Sequence, residues 1–120
     1  MILDQTMRLE AFMAGSASTS QPDVIVDFID WTQDKTQTIP SPFRTTLSHA
    51  TVITILASPN GISQVRDPQR VSIYNKDTVT QTITVQSQDT SASAQRIEVK
   101  QAVASGRSLV WEKPIGWYIV

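Results

Sequence analysis

Alternation constrains this chain more than any other feature. In residues 70–86, R-V-S-I-Y-N-K-D-T-V-T-Q-T-I-T-V-Q, Val71 and Ile73 precede a polar break, and Ile83 and Val85 follow it. Between them stand Ser72, Tyr74, Thr80, Thr82 and Thr84. Side chains alternate across a strand with period two, so each half reads as a strand with one apolar and one hydroxyl-rich face. The two strands read as a pair joined through Lys76-Asp77-Thr78. Their polar side, with Tyr74, Thr80, Thr82 and Thr84, is a flat surface fit for water or for a neighbouring subunit.

The same period recurs downstream. Residues 51–57 (T-V-I-T-I-L-A) are β-branched and end at Ser58-Pro59-Asn60-Gly61, a strong turn signal. Residues 87–94 form a polar loop. Residues 95–103 then alternate again, with Ile97, Val99, Gln101 and Val103 on one face and Arg96, Glu98 and Lys100 on the other. Ala104-Ser105-Gly106 turns the chain into Ser108-Leu109-Val110-Trp111. Lys113-Pro114-Ile115-Gly116 turns it into Trp117-Tyr118-Ile119-Val120. Ser, Thr and Gln make up roughly a third of the 120 residues, and with Val and Ile abundant and Leu scarce the composition favours strands. The fold class expected is all-β: an antiparallel β-sandwich or jelly-roll-like domain over residues 43–120.

Residues 1–42 differ in character. Residues 14–20 (A-G-S-A-S-T-S) are a small-residue linker, and residues 32–42 (T-Q-D-K-T-Q-T-I-P-S-P) a polar, proline-ended one. Leu3, Met7, Leu9 and Ala11 fit either a short helical turn or a strand. Between the linkers, Val24, Val26 and Phe28 point one way, and Ile25, Ile29 and Trp31 the other. A strand apolar on both faces is covered on both sides. Two arrangements would do this. The segment folds back as a strand of its own domain, or it is an extended arm anchored between copies of the protein or on a larger scaffold.

Chemistry is hard to place. The single histidine, His49, stands near the start of a strand with no G-x-S-x-G to supply a nucleophile, and reads as a surface residue. There is no cysteine, and Asp23, Asp27 and Asp30 do not share one strand face, so neither a metal nor another cofactor is expected. Four scattered glycines build no phosphate loop. A net charge of −1 gives no attraction to nucleic acid or to an anionic membrane. Apolar runs are too short for a membrane helix, and Asp4 stands where a secretory signal carries Lys or Arg. Trp111, Trp117 and Tyr118 invite a sugar-stacking platform, although strand parity makes Trp111 and Trp117 cross-strand neighbours. No enzymatic activity is expected.

Four stretches in order carry a resemblance. They are M-I-L-D-Q-T-M-R-L-E-A-F-M-A-G-S-A, then V-I-V-D-F-I-D-W-T, then T-V-I-T-I-L-A-S-P with the 70–86 stretch, and last S-G-R-S-L-V-W-E-K-P-I-G-W-Y-I-V. Together they resemble the small virion proteins of tailed bacteriophages that pair an N-terminal arm with a C-terminal β-domain. The resemblance implies a non-enzymatic virion component made in the host cytoplasm. It would be a homotrimer whose partners are its own copies and the major capsid protein or other virion proteins. It would serve as a head decoration (cement) protein or a neck or tail-fibre adaptor, and the ending at Ile119-Val120 favours the compact decoration type. On this reading Val24, Ile25, Val26, Phe28, Ile29 and Trp31 anchor the arm. Removing residues 1–35 would then abolish attachment and leave the C-terminal domain folded.

Overall fold

A computed structural model of the chain describes residues 1–59 and 63–120. Ten strands follow in order: β1 (Met7–Met13), β2 (Asp23–Thr32), β3 (Gln37–Thr38), β4 (Phe43–Thr46), β5 (Ile53–Leu56), β6 (Ser63–Tyr74), β7 (Gln81–Asp89), β8 (Ala94–Val103), β9 (Ser108–Glu112) and β10 (Gly116–Ile119). All pairings are antiparallel. One sheet has four strands in the order β5-β1-β7-β8. The other has six, β10-β9-β6-β2-β3, with β4 also on β2. The two sheets face each other as a β-sandwich. Of the turn expected at 58–61, Asn60 and Gly61 lie outside the described residues.

The core is what period two dictates. Leu9, Ala11 and Met13 of β1 and Ile83 and Val85 of β7 point inward from the four-stranded sheet. Val24, Val26 and Phe28 of β2, Val71 and Ile73 of β6 and Leu109 of β9 meet them from the other. Each such large side chain contributes about 1.5–3 kcal/mol by leaving water.

The division at residue 42 is not a boundary in the structure. β1 lies inside the four-stranded sheet between β5 and β7, and β2 lies inside the six-stranded sheet between β6 and the β3/β4 edge. The N-terminal third therefore supplies a central strand to each layer. The fold-back alternative is the one realised: β2 pairs on both edges, the facing sheet covers Val24, Val26 and Phe28, and Ile25, Ile29 and Trp31 stay half-buried on the outer face. The ambiguous 7–13 segment is a strand, and part of the polar 32–42 connection pairs back on β2 as β3.

Three further differences matter for surfaces. First, the two halves of the 70–86 stretch do not pair: β6 belongs to the six-stranded sheet and β7 to the four-stranded one. The chain crosses between layers at residues 75–80, so both strands face the core from opposite sides. Secondly, β6 begins at Ser63, well before the alternation at Arg70. Pro68 is accommodated because Gln69 is an extra residue between the Asp27–Arg70 and Phe28–Pro68 pairs, a bulge where a missing N–H does not break the ladder. Thirdly, β8 carries a bulge. Val99 pairs with Val85 and Ile97 with Gln86, leaving Glu98 as the extra residue. The bulge shifts the phase, so Ile97 and Val99 no longer share a face.

Candidate interaction surfaces

The two ends of the sandwich are closed by different chemistry. At one end, the crossing from β6 to β7 is built on Asn75 and Asp77, both buried. The Asn75 amide donates to the carbonyls of Val79 (2.9 Å) and Val103 (2.8 Å), and its own oxygen accepts from the Asp77 N–H (3.0 Å). The Asp77 carboxylate accepts from the backbone N–H groups of Ser18 (2.8 Å), Thr19 (2.8 Å) and Thr78 (2.9 Å), and from the Gln81 amide (2.7 Å). Ser18 contributes most to holding the Asp77 carboxyl well below the usual carboxylate range; burial pushes the other way and loses. The small-residue linker at 14–20 is thus tied to the body by its own backbone. The 104–107 turn joins the same knot through Gly106, whose N–H donates to the Asn75 carbonyl (2.8 Å) at a φ of 76° that favours glycine.

At the other end, Asp30 and Arg66 are cross-strand partners on the inner side of β2 and β6. Arg66 donates through Nε to Oδ1 (2.8 Å) and through Nη2 to Oδ2 (3.1 Å), and its guanidinium lies 4.6 Å from the Phe28 ring centroid. Leu3 exchanges both backbone hydrogen bonds with Arg66, each 2.8 Å, so the N-terminal residues cap this end. Nearby, the Asp89 carboxyl is also held below its ordinary range, chiefly by the Ser91 and Thr6 hydroxyls.

The residues singled out from sequence are dispersed. Val24, Val26 and Phe28 are core, while Ile25, Ile29 and Trp31 are half-buried on the outer face of the six-stranded sheet. As anchors of a free arm they are corrected, because β2 is built into the six-stranded sheet and the core covers Val24, Val26 and Phe28. The threonine face is corrected too. Ser72 and Tyr74 lie on the outside of the six-stranded sheet and Thr82 and Thr84 on the outside of the four-stranded one, with Thr80 exposed between the two strands. Thr84 is itself buried, beside a polar layer in which Glu10 accepts from Gln86 (2.8 Å) and Arg8 (2.7 Å).

Trp111 and Trp117 are direct cross-strand partners, as parity implies, and both pack half-buried against the core. Tyr118 points to the opposite face, where its hydroxyl donates to Glu112 (2.7 Å). That carboxylate raises the Tyr118 pKa. The three rings do not form one platform. His49 is exposed at a cleft of about 360 Å³ lined by residues 17–21, Thr46 and Lys76, where its Nδ1 accepts from the Ala17 N–H (3.3 Å). Asp23 pairs with Lys76 (2.9 Å) and Asp30 with Arg66, and among the described residues no three His, Asp or Glu side chains converge.

What remains open to a partner is apolar and peripheral. Ile39 (76% exposed) and Phe43 lie along the β3–β4 edge, Ile115 (71%) in the β9–β10 turn, and Ile97 (62%) on β8. β8 is one edge strand of the four-stranded sheet, β5 being the other, and of its ten residues Val103 alone is buried. Beside it, Met1, Ile2, Leu3, Met7, Ser87, Arg96 and Glu98 line a cleft of about 300 Å³. Sequence reading placed Arg96 and Glu98 but gave them no role; their charge alternation on an exposed strand was the available signal. No family model, no curated protein and no solved structure matches this chain.

Proposed function

We propose that the protein is a non-enzymatic structural component of a tailed-phage virion, of the head-decoration type. It would attach through its sheet edges and not through a clasping arm. The observation that supports this reading is where the exposed large apolar side chains lie. Ile39, Phe43, Ile97 and Ile115 stand on edges and turns, not in a concave pocket. Small-molecule sites are concave with a few convergent polar groups, whereas extended protein partners use flat patches and edges. Two carboxylates held below their ordinary range are engaged by the fold itself: Asp77 by Ser18, Thr19, Ser20, Thr78 and Gln81, and Asp89 by Thr6 and Ser91.

A shell offers each contact many times, so weak edge contacts add up through avidity. The homotrimer rests on the resemblance set out above. The test is co-purification with virus particles on a density gradient, followed by counting the chain per particle. A decoration protein appears in large, fixed stoichiometry, and a neck or tail-fibre adaptor in a few copies. Absence from the particle fraction sinks the virion reading.

A further inference from the structure

We infer that the β8 edge is a self-association surface, on which β8 of a second copy pairs antiparallel about a two-fold axis through Ile97. The inference goes beyond the virion reading and does not require it.

Among the described residues β8 pairs in its sheet with β7 alone, and the strand is exposed or half-buried from Ala94 to Ala102, up to the buried Val103. Such an edge is a template for another strand unless something blocks it. Charges often do, and β8 has three, Arg96, Glu98 and Lys100. Whether they block a second β8 depends on register and face. In a two-fold antiparallel pair centred on residue 97, Arg96 of each copy stands opposite Glu98 of the other, and Ile97 meets Ile97. Both charge contacts are attractive.

The bulge decides between this register and its rival. Arg96 lies on the inner side of the sheet, opposite Ser87, and Glu98 accepts from the Ser87 hydroxyl (3.0 Å) on that same side. Both line the cleft with Met1, Ile2 and Met7. Lys100, across the bulge, is paired with Thr84 and lies on the outer side. A register centred on Val99 would oppose Glu98 to Lys100, but the two point to different faces. Registers centred on Glu98 oppose like charges. Of these three registers, the pairing about Ile97 is the one that sets opposite charges on the same face, over residues 96–98; beyond them the bulge puts Gln95 and Val99 on different faces. This pairing also covers the most exposed apolar residue of the strand, Ile97, with its own counterpart.

Sedimentation velocity of the full chain over a range of concentrations tests this, with wild type beside R96E, E98R and the double variant R96E/E98R. Wild type is expected to form a concentration-dependent dimer, or an even multiple if trimers are joined through it. Each single variant places like charges opposite at both symmetric positions and should weaken association about tenfold or more. The double variant restores opposite charges and should restore association. Circular dichroism of each variant establishes that all four proteins are folded. A wild-type monomer, or a bare trimer at every concentration, overturns the inference; the bare trimer does so while leaving the virion reading intact. Equal association in all four proteins, or no recovery in the double variant, overturns it as well.

Discussion

β2 and β8 are both ten-residue strands, and they have opposite fates. β2 is apolar on both faces, lies between β6 and the β3/β4 edge, and buries Val24, Val26, Phe28 and Asp30. β8 alternates charge with apolar residues, has one neighbour in its sheet, and buries Val103 alone. Of these two strands, the exposed one is therefore the one that reads as an ordinary domain strand. The segment that reads as a sticky arm is inside. Apolarity on two faces marks a strand already covered, and charge on one face marks an edge that must stay soluble when unpaired.

The contrast breaks most visibly on truncation. Removing residues 1–35 takes an inner strand from each sheet, with Leu3, Leu9, Met13, Val24, Val26 and Phe28 of the core. The remainder is expected to lack a cooperative thermal transition and to give a collapsed amide proton spectrum. A folded 36–120 fragment would show that β1 and β2 are accessory after all. Within β2, Phe28→Ala should cost about 3–5 kcal/mol by urea denaturation, since it removes a buried ring and the platform under Arg66. A cost below about 1 kcal/mol would show that this end of the core is loosely packed.

The Asn75–Asp77 corner comes next. Asn75→Ala leaves the carbonyls of Val79 and Val103 and the Asp77 N–H without their partner, at an expected cost of about 3 kcal/mol. A loss within about 0.5 kcal/mol, the range of ordinary surface changes, would mean that water replaces the amide. Acid is a gentler probe, of this corner through Asp77 and of the opposite end through Asp89. Asp77 and Asp89 are both held below the ordinary carboxylate range in the folded chain. In the unfolded chain they titrate near about 3.9, so below that pH the unfolded state binds more protons. Their contribution is complete above about pH 5 and declines as pH falls through about 4 toward the lower folded values. Urea midpoints should follow that course, and Asp77→Asn should flatten it. An unchanged slope in Asp77→Asn would remove Asp77 from the acid response.

How much of this was legible depended on distance along the chain. Trp111 and Trp117 are six residues apart across one tight turn, so parity and the turn at 113–116 were enough to pair them. The core faces were legible for the same local reason. Period two tells which side of a strand is buried, but it does not tell which sheet the strand joins. That is why Val71–Ile73 and Ile83–Val85 read as one surface and lie in two layers. Asp77 could not be read as a structural acid because the backbone that binds it, residues 18–20, is nearly sixty positions away. The 14–20 segment looked flexible by composition, and small residues are also what allow a backbone to close on a carboxylate. The bulge at Glu98 was hidden because an uninterrupted alternation fits a straight strand equally well.

The smallest expected effect is also the sharpest test of the contrast between β2 and β8. Ile97 is as large as the aliphatic side chains of the core, yet it lies on the outer face of an edge, opposite Gln86, and is 62% exposed. Truncation to alanine removes little packing within one copy. Ile97→Ala should therefore change stability by no more than about 0.5 kcal/mol when measured on dilute, dissociated protein. The same substitution removes the central contact of a β8–β8 pair, so the stability difference from wild type should grow as protein concentration rises, because association stabilises only the folded chain. Urea midpoints at two concentrations a hundredfold apart separate these effects. A large loss in dilute protein would place Ile97 in the fold of the single chain, and a small loss at both concentrations would leave β8 an edge without a partner strand.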